Sequence, residues 1–255
     1  MKDIRKKCSL PYYPICNILG VNVSALNMKE AVRFIKEFRE DLSGQYICVS
    51  NVHTTVMSYE DEGYRRIQNE AAMVLPDGGP LSVIGRKMGF KEMGRATGPD
   101  FMGEILKVSV RMNYSHYFYG STDETLKKLR LRLIEKYGPI QIAGMYSPPF
   151  RKLSFEEDEI IINKINQAKA DFVWVGLGAP KQEIWMAQHK DKVNGVMVGV
   201  GAAFDYYAGN IKRAPKWMQR NNLEWIYRLC QEPTRLFGRY FSTNIKFLLL
   251  LIIRR

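Results

Sequence analysis

The stretch Asp171–Glu183, DFVWVGLGAPKQE, decides how the rest of the chain is read. Phe172 to Gly176 is short, β-branched and aromatic, the make-up of a buried strand. Gly176 and Gly178 then permit a tight turn, and Pro180 suits the first position of a helix, where a missing N–H costs nothing. Such a succession presents unpaired backbone N–H groups and the positive end of a helix dipole, which together receive anions, and in an α/β protein usually phosphate. The spacing is not the dinucleotide fingerprint, because Lys181 stands where the third glycine would be. An ordinary strand-to-helix loop has the same pattern, so the turn alone leaves phosphate binding open.

Outward from this stretch, strands and helices alternate. Downstream come a helix to about Gln188 and a strand over Gly195–Val200. Upstream, Ile15–Val23 reads as a first strand or hairpin, and Gln45–Ser50, Met73–Leu75, His116–Tyr119 and Ile140–Ala143 read as strands. Capping boxes at Asn27/Glu30, Ser121/Glu124 and Ser154/Glu157 open helices, and Asp100 is placed to cap another that runs to Arg111. Val52–Tyr59 and Gly63–Ala71 are short helices. The alternation predicts an α/β fold, a mostly parallel, doubly wound sheet with flanking helices over residues 15–209. Residues 1–14, basic and then rich in proline and tyrosine, read as a flexible leader. After Gly209 the strands stop. Pro215–Cys230 and Pro233–Ile253 read as two helices, a C-terminal helical appendage over 210–255.

That appendage is basic and amphipathic. From Gly209 onward there are ten Lys or Arg against two acids, within a chain of 255 residues and net charge +12. A basic tail requires an anionic partner: nucleic acid, anionic lipid or a phosphorylated substrate. Trp217, Trp225, Tyr227, Phe237, Tyr240 and Phe241 interleave with Arg220, Arg228, Arg235 and Arg239, which suits a membrane interface; a helical pair packed on the domain with a solvated basic face fits as well. No nucleic-acid recognition motif is present, so nucleic acid is not expected as a partner. The apolar run Phe247–Ile253 is too short to span a bilayer, which takes about 20 residues. Four scattered cysteines and no signal-peptide pattern point to a reducing, cytoplasmic location.

In open α/β sheets ligands bind beyond the carboxyl ends of the strands. Ser50-Asn51, Asp77-Gly78 and Gly178–Glu183 fall there. Asp77 follows an apolar strand and precedes two glycines, so it is the best placed general base; a plain Asp-Gly turn is the alternative. Arg95, in RATGPD, brings a guanidinium to the pocket or lies on the surface. Gly199–Asp205, GVGAAFD, ends in a carboxylate able to accept from a ribose or a base, or to cap a helix. No metal site is expected: there is no HExxH and no Asp-x-Asp, and His53, His116 and His189 are far apart.

Taken together, LPDG at 75–78, RATGPD at 95–100, GAPKQE at 178–183, GVGAAFD at 199–205, AG at 208–209, RAP at 213–215 and LEWIYRL with EPTRL at 223–236 resemble the WecG/TagA/CpsF family of bacterial glycosyltransferases. The likeness runs from about residue 17 to residue 240. It implies a Rossmann-like fold and an inverting, metal-independent transfer of a hexose or N-acetylhexosamine, without a cofactor. The donor would be a UDP-sugar and the acceptor a polyprenyl-diphosphate-linked sugar, at the anionic inner face of the bacterial plasma membrane, in surface polysaccharide synthesis. Carried over by motif, Asp77 is the catalytic base, and Asn51, Arg95 and Gln182 line the pocket. Gly178, Pro180, Lys181, Gly199, Gly201 and Asp205 hold the nucleotide, while Arg228, Arg235 and Arg239 close over the diphosphate. Val49 stands where many relatives carry threonine, which leaves Ser50 as the nearest hydroxyl. Many relatives also carry a basic residue near Gly238, for which Arg239 is the neighbouring candidate. Without the resemblance, a non-catalytic membrane or nucleic-acid-binding protein using the basic tail is the rival reading. The sequence leaves a homo-oligomer open.

Overall fold

A computed structural model describes residues 13–253, apart from the side chains of Arg235 and Arg239. In chain order the elements are β1 (Ile15–Ile18), β2 (Val21–Ser24), α1 (Met28–Phe38), β3 (Tyr46–Ser50), α2 (Val52–Glu60), α3 (Glu62–Asn69), β4 (Met73–Pro76), α4 (Gly79–Lys87) and α5 (Gly98–Met112). There follow β5 (Ser115–Gly120), α6 (Asp123–Tyr137), β6 (Gln141–Tyr146), α7 (Phe155–Gln167), β7 (Phe172–Gly176), α8 (Lys181–Gln188), β8 (Val196–Gly199) and α9 (Ala203–Ala208). The chain then turns to α10 (Lys216–Arg220), α11 (Glu224–Gln231) and α12 (Pro233–Ile253).

β1 and β2 form an antiparallel hairpin, and the other six strands form one sheet in the order β4-β3-β8-β7-β5-β6. All its pairings are parallel, so every strand of this sheet ends on one edge. Parallel strands covered on both faces are apolar throughout, and side chains alternate between faces. In β7, Phe172 and Trp174 face the layer of α1, α5, α6 and α9, while Val173 and Val175 face the hairpin, α7 and α8. β8 repeats this with Val196 and Val198 on one side and Met197 on the other. The sheet is thus doubly wound and Rossmann-like, as the alternation predicts. Trp174 is the largest fully buried side chain, and truncating such a residue to alanine typically costs about 3–5 kcal/mol.

Several local expectations shift. Thr97, not Asp100, caps α5: its hydroxyl accepts the Asp100 N–H at 3.3 Å, and Pro99 sits in the first turn. Asp100 is thereby freed for an ion pair. Thr122, not Ser121, caps α6, because Ser121 is left-handed (φ 61°) and cannot begin the helical approach. The helix expected over Pro215–Cys230 is two helices, α10 and α11, broken at Asn222, whose φ of 61° interrupts the ladder and which asparagine tolerates. The Leu236–Ile253 segment of α12 is long and apolar enough by length and composition to cross a membrane. Counting only the contiguous apolar run misses this, since the first half alternates with polar residues.

Of the residues read as a leader, 1–12 lie outside the described residues. Tyr13 is buried, its hydroxyl donating to the Ala72 carbonyl, and the Pro14 carbonyl accepts from Ala25 N–H at 2.8 Å. At the other end, Phe247 is buried against the face that carries α2, and Lys246 pairs with Glu60 at the end of α2. The opposite side of α12 leaves Phe237, Phe241, Leu248 and Leu249 exposed.

Candidate active site

The carboxyl edge of the sheet gathers the motifs. Asp77 follows β4 directly, its N–H donating to the Ser50 carbonyl of β3 at 2.7 Å. Gly78 (φ 94°) then turns the chain into α4, a conformation that glycine adopts freely, and no side chain caps that helix start. Ala96 N–H bonds the Pro76 carbonyl at 2.8 Å, which draws RATGPD alongside β4. A Cβ on Gly98 would lie 2.9 Å from the Val200 carbonyl, so the start of α5 lies directly on the loop after β8.

Asp77 is half-buried and its carboxyl is pushed up to about 6, chiefly by desolvation. Arg95 and Arg228 oppose that rise, while Glu224 and Asp100 add to it. A carboxyl held near 6 is mostly ionised at neutral pH yet more basic than an ordinary carboxylate, the condition for accepting a proton in catalysis. Arg228 reaches this centre from α11 and lies 5.8 Å from the ring centroid of Tyr206 on α9.

The appendage is fastened to this centre by charge. Arg95 donates to the Gln219 carbonyl at 2.7 Å and to the Glu224 carboxylate. The other oxygen of Glu224 accepts from Arg213 Nε at 3.2 Å. Arg213 in turn grips Asp100 with two bonds of 2.5 and 2.7 Å, a fork-to-carboxylate geometry. Asn222 covers the start of α4, where a Cβ on Gly79 would fall 2.0 Å from its Cγ.

The remaining candidates are each held by the fold. Asn51 is half-buried and caps α2, its Oδ1 accepting from Thr54 N–H at 3.2 Å. Ser50 is fully buried with its hydroxyl 3.0 Å from Thr54 Oγ1, so it points into the fold. Gln182 is buried and its amide is committed at both ends: Nε2 donates to Glu183 Oε1 at 2.7 Å, and Oε1 accepts from Gly201 N–H at 3.0 Å. It fastens the loop after β8 to α8. Glu183 is itself fully buried and its carboxyl is raised by that burial.

The α8 start is therefore not an open row of donors. Gln182 N–H bonds the Gly178 carbonyl at 3.0 Å, and the Glu183 carboxylate engages its own N–H. Gly178 and Gly201 have positive φ and open space beside them, and the Lys181 side chain is exposed. Asp205 accepts from Asn210 Nδ2 at 3.0 Å, and Asn210 also donates to Thr125 on α6. It thus stands on α9, after β8, and is tied through Asn210 to the start of α6, which follows β5. Arg235 and Arg239 lie on α12, and their side chains are outside the described residues. Among the described residues, no three His, Cys, Asp or Glu side chains converge as a metal site. His116 and His189 are buried and bonded inside the fold, to Trp174 and to Asp158.

The profile of the Glycosyl transferase WecG/TagA/CpsF family matches residues 16–255, nearly the whole chain and all of the edge just described. The chain belongs to this family. A relative from Staphylococcus aureus (strain MW2) is 29% identical over 232 residues, 90% of this chain and 89% of its own. Another from Bacillus subtilis (strain 168) is 30% identical over 201 residues, 78% of this chain and 77% of its own. Both are named N-acetylglucosaminyldiphosphoundecaprenol N-acetyl-beta-D-mannosaminyltransferase. This WecG/TagA/CpsF-family protein is therefore a glycosyltransferase, and the non-catalytic reading of its basic tail falls away. Arg213, Glu224, Tyr206 and Asn222 enter the site without having been singled out from sequence. Arg213 and Glu224 stand inside RAP and LEWIYRL, the signal that could have found them.

Proposed function

We propose that the protein is an inverting glycosyltransferase that moves a hexose or N-acetylhexosamine from a UDP-sugar to a polyprenyl-diphosphate-linked sugar, in the synthesis of a bacterial surface polysaccharide. The observation that carries this is Asp77: a half-buried carboxyl pushed up to about 6 at a strand end, faced by the guanidinium groups of Arg95 and Arg228. The relatives' printed names support an N-acetylglucosamine–diphosphate–lipid as the acceptor class and N-acetylmannosamine as the first sugar to try.

Chemically, the ionised Asp77 takes the proton of an acceptor hydroxyl as that oxygen bonds to the anomeric carbon. The bond from that carbon to the diphosphate breaks on the opposite side, and its electron pair leaves with UDP. One displacement inverts the centre. Negative charge builds on the departing diphosphate, and Arg95 and Arg228 are the cations placed to receive it. Preorganised donors of this kind are worth on the order of 100-fold in rate each. No metal is assigned to this step.

The appendage supplies the route to the lipid. Its exposed Trp217, Trp225, Phe237 and Phe241 suit the headgroup region, and Phe247 and Lys246 keep α12 docked on the domain. This supports a peripheral position on the inner face of the plasma membrane. The test is a donor panel: purified full chain, UDP-sugars including UDP-N-acetylmannosamine, and a short-chain lipid-diphosphate N-acetylglucosamine acceptor, with and without chelator. Transfer of one sugar in chelator supports the proposal. No transfer from any UDP-sugar, or transfer only with added magnesium or manganese, contradicts it.

A further inference from the structure

Among the described residues, Glu224 is the appendage carboxylate whose charge acts on Asp77. It stands in the first turn of α11, half-buried, and is shared by two arginines that come from different parts of the chain. Arg95 belongs to the loop after β4, on the sheet side. Arg213 precedes α10 and is itself held by the two oxygens of Asp100 on α5. The Arg95 guanidinium is fixed by two appendage groups, the Gln219 carbonyl at 2.7 Å and the Glu224 carboxylate. Without the appendage, both of those anchors are lost.

We propose that Glu224 is a positioning residue for sugar transfer: it aligns the Arg95 guanidinium beside Asp77, so that this cation is in place only when the appendage is seated. The proposal rests on the reading of Asp77 as the base and of Arg95 as a receiver of diphosphate charge. Glu224 also offsets part of the positive charge that Arg95 and Arg228 direct at Asp77, and so helps keep the base from becoming too weak. The largest charge influences on Asp77 come from Arg95 in the β4–α5 loop, Arg228 and Glu224 on α11, and Asp100 on α5. Glu224 and Arg213 differ in what they bond: both seat the appendage, but Glu224 is the one that bonds Arg95.

The experiment compares the pH dependence of kcat/KM for the full chain with Glu224→Gln, Glu224→Asp and Arg213→Met, using whichever donor and acceptor the panel identifies. A displaced catalytic group can cost about 100-fold, and a loss of that order in kcat is expected for Glu224→Gln. Its acid limb should move to higher pH, because the displaced Arg95, whose lowering of the Asp77 carboxyl outweighs the raising by Glu224, no longer holds that carboxyl down. Glu224→Asp keeps the charge and should recover part of the rate, with the limb near its wild-type position. Arg213→Met leaves the Arg95–Glu224 bond available and should keep more of the rate than Glu224→Gln. A Glu224→Gln enzyme of wild-type rate overturns the proposal. So does a slow one with an unmoved acid limb, which would leave Glu224 a purely structural role. A wild-type enzyme with no acid limb near pH 6 would instead count against Asp77 as the base, leaving a distinct signature.

Discussion

Asn222 lies over Gly79 so closely that a methyl group on that glycine would fall 2.5 Å from the asparagine Cβ and 2.0 Å from its Cγ. Gly79 opens α4 immediately after Asp77, and Asn222 is the left-handed residue that separates α10 from α11. The appendage therefore meets the domain at the catalytic edge itself, and the absence of a side chain at residue 79 is what lets it do so.

Gly79→Ala separates seating from stability. Alanine in place of glycine favours a helix by roughly 0.5–1 kcal/mol, so the thermal midpoint should hold or rise slightly. The added Cβ should displace Asn222 and with it the α11 groups beside Asp77, lowering kcat by on the order of 100-fold. Thermal unfolding and initial rates on the same preparation check this. A fall in midpoint with full activity is the opposite of what is expected.

Gln182→Leu tests the buried amide. The change leaves Gly201 N–H without a partner and takes one hydrogen bond from the buried Glu183 carboxyl, and leaving one buried group unpaired typically costs about 1–3 kcal/mol. Urea unfolding should show a reduced midpoint. UDP binding, measured by calorimetry at a temperature where the variant is folded, should weaken through a loosened loop after β8.

His116 predicts an acid dependence of stability. It is fully buried, its Nδ1 accepts from Trp174 Nε1 at 3.1 Å, and desolvation lowers its pKa to about 4 from an ordinary 6.5. Below pH 6.5 the unfolded chain binds a proton that the folded chain refuses, so this residue removes stability progressively down to about pH 4. The limit is about 3 kcal/mol. Asp77 acts in the opposite sense over pH 6 to 3.8, because its folded form binds the proton more readily. The difference between wild type and His116→Gln in thermal midpoint, measured from pH 7 to pH 4, isolates the histidine: the variant should lose less on acidification.

The fold was legible because parallel strands buried on both faces must be apolar throughout, and Phe172–Gly176, Tyr46–Ser50 and Val196–Gly199 are such runs. Their ends, rich in glycine and single polar residues, marked the edge where Asp77 and Arg95 meet. Helix starts were less legible. Thr97 and Asp100, or Ser121 and Thr122, are equally good caps in sequence, and only the backbone angles decide between them. Gln182 was assigned to the pocket through the motif GAPKQE, and nothing in that motif announces that its amide is buried and held by two hydrogen bonds. The Arg95–Glu224–Arg213–Asp100 chain was not legible at all. Its members are up to 129 positions apart, and with so many charged residues available, pairing follows from the fold and not from spacing.

The most direct test is sugar transfer by Asp77→Asn, measured in chelator under single-turnover conditions beside the wild type. Asparagine matches aspartate in shape but cannot take the acceptor proton. The account predicts that the variant binds UDP as the wild type does and transfers sugar at least about 100-fold more slowly, the lower range of general-base effects. Transfer by Asp77→Asn within a factor of a few of the wild type would contradict it.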